Sequence, residues 1–284
     1  MVTVNDYPLS ETAWCPGCGN FGIRLALRDA LVELGLAPHQ ILLVSGVGQA
    51  AKLPMYMSGN SFTGLHGRSL PAAQAFKLVN PALKIFVFGG DGDGYAEGGN
   101  HLLHAIRRNV DLTYIVHNNQ VFGLTKGQAS PTSLTGYVGG ITPQGTRMPG
   151  FNPIPFAISM DIGFVARSFS GDKDHLVAMI KAASKYNGFA LIDVLQPCVT
   201  FNKVNTYKWY KDRVYYLPDD YDPTDKELAF RKSQEFGERI PLGIIYQSNR
   251  PAYTTAIDNP TDDPVAFRPH NPADFTFLNK ENEI

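Results

Sequence analysis

Apolar and polar positions along this chain fall into short alternating blocks that read as helix, strand, helix, strand. From Phe21 to Leu34, residues Leu25, Leu27, Leu31 and Leu34 make a mostly apolar stripe, with Asn20 as a capping residue before it and Gly35 where the helix would stop. A strand at Ile41–Val44 follows and ends in Ser45-Gly46-Val47-Gly48-Gln49. Pro71 suits the first turn of a helix running to about Val79. Lys84–Phe88 and Leu112–Val116 are mostly apolar runs of the kind buried on both faces of a parallel sheet, and Gly98–Arg108 reads as the crossover helix between them. A strand at Phe164–Phe169, a helix at Asp172–Tyr186 and a strand at Ala190–Leu195 continue the pattern. The alternation predicts an α/β fold with a doubly wound, mostly parallel sheet and right-handed crossovers.

Two segments break the rhythm. Phe122 to Pro155 is rich in Gly, Pro, Ser and Thr with little periodicity, and a loop that long in a compact domain is expected to be functional, here as a cover for the site. After Phe201 the chain turns polar and aromatic, with Tyr207, Trp209, Tyr210, Tyr215 and Tyr216, and no further βα alternation is legible. The expected organisation is therefore one α/β domain over residues 1–200 and an irregular C-terminal extension over 201–284 that packs on the domain or on a partner, with Pro272–Ile284 disordered.

The chain has 284 residues, 44% of them hydrophobic and 18% charged, enough to bury a full core. A net charge of −1 offers no field for nucleic acid or an anionic membrane, and no apolar run reaches transmembrane or signal-peptide length, so the default expectation is a cytoplasmic protein. Three cysteines, two of them in Cys15-Pro16-Gly17-Cys18, argue for metal or redox use rather than a disulfide framework.

The most specific chemistry lies where the Lys84–Phe88 strand stops, in Gly89-Gly90-Asp91-Gly92-Asp93-Gly94. Ligands of open α/β sheets bind at the carboxyl ends of strands, and glycine lets backbone amides approach phosphate oxygens. Asp91 there makes sense as a ligand to a hard divalent ion such as Mg²⁺ that bridges to phosphates. The next strand ends at His117-Asn118-Asn119-Gln120-Val121, with Asn119 lying 28 positions after Asp91, so two strand ends would serve one metal.

Together these residues resemble the thiamine diphosphate motif. The resemblance implies Mg²⁺ held by Asp91, Asn119 and the Val121 carbonyl, with Gly90, Gly92 and Asp93 beside the diphosphate and Asn118 as the neighbouring alternative to Asn119. The Cys15–Cys18 turn, with Cys198 in Gln196-Pro197-Cys198, admits an iron–sulfur cluster, zinc or a dithiol couple. No histidine lies close to either cysteine segment to complete a zinc site, and Ala13 and Trp14 are the only apolar residues directly before the turn, where a thioredoxin-like pair would follow a strand.

The thiamine motif and the cysteine turn in combination resemble the β subunit of a 2-oxoacid:ferredoxin oxidoreductase over nearly the whole chain. Supporting segments are Trp14–Gly22, Val44–Pro54, Gly64–Arg68, Gly89–Asn109 and Asn119–Thr132. The resemblance implies thiamine diphosphate, Mg²⁺ and a [4Fe–4S] cluster as cofactors, with Cys15, Cys18 and Cys198 as cluster ligands and Gly48 and Gln49 beside the cofactor. It also implies an α subunit as obligate partner in an αβ or (αβ)2 assembly, CoA-dependent oxidative decarboxylation, and ferredoxin as electron acceptor. Where family members often carry a cysteine, this chain has Gln49, which leaves a Gln49 oxygen, solvent or another chain as candidates for the fourth cluster ligand. Lys52, Leu124, Thr125 and Lys126 resemble the 2-oxoglutarate branch, because a lysine suits the distal carboxylate of that substrate. His66 falls near the diphosphate, as a hydrogen-bond donor or proton relay. Pyruvate or another 2-oxoacid is the alternative substrate, and a non-redox thiamine decarboxylase or carboligase subunit the alternative class.

Overall fold

The computed structural model describes residues 1–253 and 263–268. Its regular elements in chain order are α1 (Asn20–Glu33), β1 (Ile41–Ser45), β2 (Asn60–Thr63), α2 (Ser69–Val79), β3 (Lys84–Gly90), α3 (Gly99–Arg108) and β4 (Leu112–Asn118). There follow a small hairpin of β5 (Val121–Phe122) and β6 (Gln128–Ala129), then α4 (Pro153–Ser159), β7 (Phe164–Phe169), α5 (Lys173–Lys185) and β8 (Phe189–Leu195). The last are α6 (Tyr207–Lys211), β9 (Val214–Tyr216), α7 (Lys226–Ser233) and β10 (Ile240–Gln247). Eight strands form one sheet in the order β2-β1-β3-β4-β8-β7-β10-β9. All neighbours are parallel except β10 against β7.

The alternation of side chains along each strand divides the core in two. Leu42, Val44, Ile85, Val87, Leu112, Val116 and Leu191 face Leu70 and Ala73 of α2, Leu102 and Ile106 of α3 and Ile154 and Ile158 of α4. Leu43, Phe86, Phe88, Ile115, Ala190, Ile192 and Val194 face Ile23, Leu27 and Leu31 of α1 and Leu176 and Ile180 of α5. The fold is thus the expected α/β doubly wound arrangement, with helices on both faces. Each fully buried aliphatic side chain contributes about 1.5–3 kcal/mol.

Strands β2, β9 and β10 of the main sheet and the small β5–β6 hairpin were not legible in the sequence, and the expectation of an irregular chain after Phe201 is corrected. Strand β2, Asn60-Ser61-Phe62-Thr63, is exposed throughout on the sheet edge, so it carries no hydrophobic signature. Strand β10 contains Pro241 and Gly243, which read as breakers; it is nevertheless largely buried, and its pairing with β7 carries an irregularity between Ile244 and Tyr246. Beyond β10, Arg250 caps the end of α3 by donating to the Ile106 carbonyl at 3.2 Å and the Arg107 carbonyl at 2.8 Å. The Pro272–Ile284 expectation lies outside the described residues. No described helix is long and apolar enough to cross a membrane.

Because Ile192 is fully buried between α1 and α5, Ile192→Ala is expected to cost about 2–5 kcal/mol in denaturant unfolding. Truncation of the exposed Val79 to Ala on the outside of α2 should stay within about 0.5 kcal/mol. Equal losses at the two positions would contradict this packing.

Candidate functional site

Five strand ends deliver residues to one edge of the sheet. Strand β1 runs into Ser45–Gly48, β2 into Gly64–Gly67, β3 into Gly90–Asp91, β4 into Asn118–Asn119, and β8 into Gln196–Cys198. After Asp91 the chain makes a π-helical turn over Gly92–Glu97, closed by the Gly98 amide on the Asp93 carbonyl at 2.9 Å. Such widened turns recur at functional sites. Gly92 must lack a side chain, because a Cβ there would lie 2.1 Å from the Phe122 ring.

Asp93 clasps the loops together. Its Oδ1 accepts the Val47 amide at 3.0 Å and the Gly67 amide at 2.8 Å, and lies 3.0 Å from His66 Nδ1. Burial raises its carboxyl above the usual range against the opposing pull of those two amides. Asp93 lines a cavity at this sheet edge, with its carboxylate engaged with the loops.

Asp91 is buried, and its Oδ2 accepts from the hydroxyls of Ser130 and Thr132, the latter at 2.6 Å. Burial pushes its carboxyl up to about 6, with the two hydroxyls acting in the opposite direction. Asp91 shares a cavity with Val47, Gly48, Gln49, His66, Gly90, Gly92, Asp93, Asn119, Val121, Leu124 and Thr125. The two neighbouring asparagines separate: Asn119 lines this cavity and accepts the Val121 amide at 3.0 Å, whereas Asn118 turns to Thr132 at 2.8 Å and Asp193 at 3.0 Å. Lys52 is half-buried in the 3-10 helix Ala50–Tyr56 and does not line the cavity. Lys126 is exposed in the β5–β6 turn with a left-handed φ of 78°, one residue beyond the lining residues Leu124 and Thr125.

Among the described residues no three His, Cys, Asp or Glu side chains converge on a single ion. The donors at Asp91 are one carboxylate, one amide oxygen and a backbone carbonyl, all hard oxygens. That set fits Mg²⁺, which keeps few protein ligands and takes the rest from phosphate and water.

A second cavity adjoins the first. Cys15, Cys18 and Cys198 all line it, together with Trp14, Asn20 and Gln196, and it shares Gln49, Asn119 and Gly123 with the first. The cysteine turn is closed by the Cys18 amide on the Cys15 carbonyl at 3.0 Å, with Gly17 at φ 79° where only glycine sits without strain. Trp14 fixes the turn against the β1 loop by donating Nε1 to the Gln49 carbonyl at 2.8 Å. Gln196 Nε2 donates to Cys18 Sγ at 3.5 Å, and Asn202 Nδ2 ties the Cys198 loop to the Asn119 carbonyl at 3.0 Å. Burial, reinforced by the Cys198 and Cys15 thiols, pushes the Cys18 thiol up to about 11. In a cuboidal iron–sulfur cluster each thiolate holds its own iron, so its donors stand further apart than those around one ion. The three-cysteine cavity fits that group rather than a lone metal.

Several contributors escape a reading of the sequence. Ser130 and Thr132 lie inside a segment matched to the family, but nothing in their spacing announces that they hold Asp91. Asp193 and Arg167 form a buried pair, with Nε to Oδ2 at 3.7 Å, and Asp193 also accepts from Tyr95 at 2.9 Å. Burial raises the Asp193 carboxyl and lowers Arg167, each against the other's opposing charge. Asn20 does not cap α1, whose N-cap is Gly19; its side chain instead meets His117 Nδ1 at 2.8 Å beneath the site.

The parallel sheet and the carboxyl-edge cradle define a thiamine diphosphate-binding enzyme domain. Family models agree: residues 43–194 match the thiamine pyrophosphate enzyme C-terminal TPP-binding domain, and 198–261 match the C-terminal part of the pyruvate ferredoxin oxidoreductase β subunit. The chain belongs to the 2-oxoacid:ferredoxin oxidoreductase β subunits. It is 48% identical to the 2-oxoacid:ferredoxin oxidoreductase subunit β of Saccharolobus solfataricus over 83% of this chain and 81% of that one. The 2-oxoglutarate synthase subunit KorB of Archaeoglobus fulgidus is 34% identical over 85% of this chain and 94% of its own. Among solved structures, a 2-oxoglutarate:ferredoxin oxidoreductase from Magnetococcus marinus with 2-oxoglutarate, coenzyme A and succinyl-CoA bound superposes with a TM-score of 0.90. It is 32% identical and covers 100% of this chain and 97% of that one. As a β subunit, the chain works with an α partner.

Burial holds His117 neutral by pushing it from 6.5 down to about 3. The unfolded chain binds a proton near pH 6.5 that the folded chain refuses, so this contribution to stability is full above pH 6.5 and lost as pH falls toward 3. Denaturant unfolding at pH 4.5–6.5 should show a loss of about 1.4 kcal/mol per pH unit from this group, absent in His117→Gln. An unchanged slope in that variant would contradict the assignment.

Proposed function

We propose that this chain is the β subunit of a cytoplasmic 2-oxoglutarate:ferredoxin oxidoreductase. It binds thiamine diphosphate through Mg²⁺ and passes electrons through an iron–sulfur cluster to ferredoxin. The observation that carries the reading is the sharing of Gln49, Asn119 and Gly123 between the Asp91 cavity and the cavity of the three cysteines. A diphosphate cradle with a thiol cluster against it suits electron removal at the cofactor. A non-redox thiamine enzyme has no use for the cysteines. Residues 1–200 are read as the cofactor domain and 201–284 as an extension that packs on the domain or on a partner subunit; its described strands β9 and β10 continue the sheet.

In this reading Asp91, Asn119 and the Val121 carbonyl hold Mg²⁺, and Cys15, Cys18 and Cys198 hold the cluster. Thiamine diphosphate supplies, when bound, the nucleophilic carbon and electron sink needed to decarboxylate a 2-oxoacid. The chain's own residues bind, orient and shield. Ser130 and Thr132 fix the Asp91 carboxylate, and Asp93 holds the β1 and β2 loops at the spacing the diphosphate requires. His66, half-exposed beside Asp93, donates a hydrogen bond toward the diphosphate. Lys52 and Lys126 stand outside the cavity lining, close in sequence to its residues Ala50 and Thr125, and are read as the cations for the distal carboxylate of the substrate. Relatives named as 2-oxoglutarate enzymes support that choice, alongside relatives of broader 2-oxoacid scope.

Asp91→Ala should abolish Mg²⁺-dependent thiamine diphosphate binding by calorimetry while leaving the unfolding transition in place; undiminished affinity would refute the metal assignment. In the αβ complex with coenzyme A and ferredoxin, Lys52→Ala or Lys126→Ala should lower kcat/KM for 2-oxoglutarate by about 10- to 100-fold and spare pyruvate. Equal losses on both substrates would remove the lysines from substrate selection, and turnover by the β chain alone would overturn the need for the α partner.

A further inference from the structure

The three cysteines cannot ligate every iron of a four-iron cluster, and the cavity they line includes two residues whose buried side-chain oxygens have no hydrogen-bond partner, Gln49 Oε1 and Gln196 Oε1. Gln49 Oε1 is buried and has no hydrogen-bond partner. An amide oxygen stripped of water in that way is destabilising unless something satisfies it. The residue is fixed in place, since its carbonyl accepts Trp14 Nε1 at 2.8 Å one residue before Cys15. The two glutamines differ in which end they present to the cysteines, since Gln196 offers its amide nitrogen. Asn20 meets His117 at 2.8 Å, and Gln196 turns its amide nitrogen to Cys18 Sγ at 3.5 Å and to the Pro197 carbonyl at 2.8 Å, so its oxygen faces away from that thiol.

Resting on the cluster reading above, we propose that the cluster is site-differentiated, with Cys15, Cys18 and Cys198 each holding one iron and the Gln49 side-chain oxygen meeting the fourth. A neutral amide oxygen binds iron far less firmly than a thiolate, so the fourth iron is the labile one. It also faces the thiamine cradle, because Gln49 lines both cavities. One-electron oxidation releases it in a balanced step, [4Fe–4S]²⁺ giving [3Fe–4S]⁺, Fe²⁺ and one electron, with ferricyanide as the electron acceptor in the test.

The experiment is anaerobic ferricyanide titration of the reconstituted αβ complex, followed by iron and sulfide analysis and EPR, for the wild type, Gln49→Cys, Gln49→Ala and Gln196→Ala. The wild type should lose about one iron in four and develop a three-iron signal. Gln49→Cys should keep four irons and give no such signal, Gln49→Ala should convert at lower oxidant, and Gln196→Ala should convert like the wild type. A wild type as resistant as Gln49→Cys, identical titrations in both Gln49 variants and the wild type, or a shift confined to Gln196→Ala would each overturn the assignment of Gln49. Absence of iron from every form, with thiamine diphosphate still bound, would overturn the cluster reading itself and is readily told apart from those results.

Discussion

The buried carboxylate of Asp93 is the constraint on which the site depends. A carboxylate taken out of water is tolerated only where it gathers donors, and Asp93 gathers them from two other loops, the Val47 amide after β1 and the Gly67 amide after β2. Three strand ends are thereby fixed at hydrogen-bonding distance before any ligand arrives. The glycines around Asp93 follow from the same demand: a Cβ at Gly46 would lie 2.2 Å from its Oδ2. The cradle is preorganised because one side chain would be left uncompensated if it opened.

Asp91 next door answers a different demand. Its two hydroxyl donors offset burial only in part, which leaves its carboxyl raised to about 6. Ser130 and Thr132 reach it from the long loop that lacks periodicity, and Thr132 also meets Asn118, which in turn donates to Asp193. The Asp193–Arg167 pair lies entirely within the protein, where an ion pair contributes orientation more dependably than stability. A chain of polar contacts therefore runs from Arg167 on β7 to the Thr132 hydroxyl that donates to Asp91, and it explains why a loop with no regular structure is nonetheless held in one place.

Much of this was legible beforehand, and for physical reasons. Strands β1, β3, β4, β7 and β8 and helices α1, α2, α3 and α5 announce themselves because burial on both faces of a parallel sheet demands continuous apolar runs. Asp91, Asn119 and the cysteines were legible because glycine-rich strand ends and a Pro-Gly turn have few uses. Strand β10 was hidden by Pro241 and Gly243, and β2 by its exposure at the edge. Asn20 looked like a helix cap because local sequence favours that use; a tertiary contact with His117 took its side chain instead. Partnerships such as Ser130 with Asp91 span 39 positions and depend on loop geometry that no periodicity encodes.

The junction of the two cavities shows how little machinery is needed to couple them. Gln49 comes from the end of β1, Asn119 from the end of β4 and Gly123 from the β5–β6 turn, and each faces both spaces. Trp14 pins the cysteine turn to the first of these and Asn202 pins the Cys198 loop to the second. A shift of the N-terminal segment or of the chain after β8 must therefore move a wall of the cradle as well. Rigid coupling of this kind keeps the spacing of the two cavities constant without a dedicated scaffold, because the strand ends that line one are the same residues that border the other.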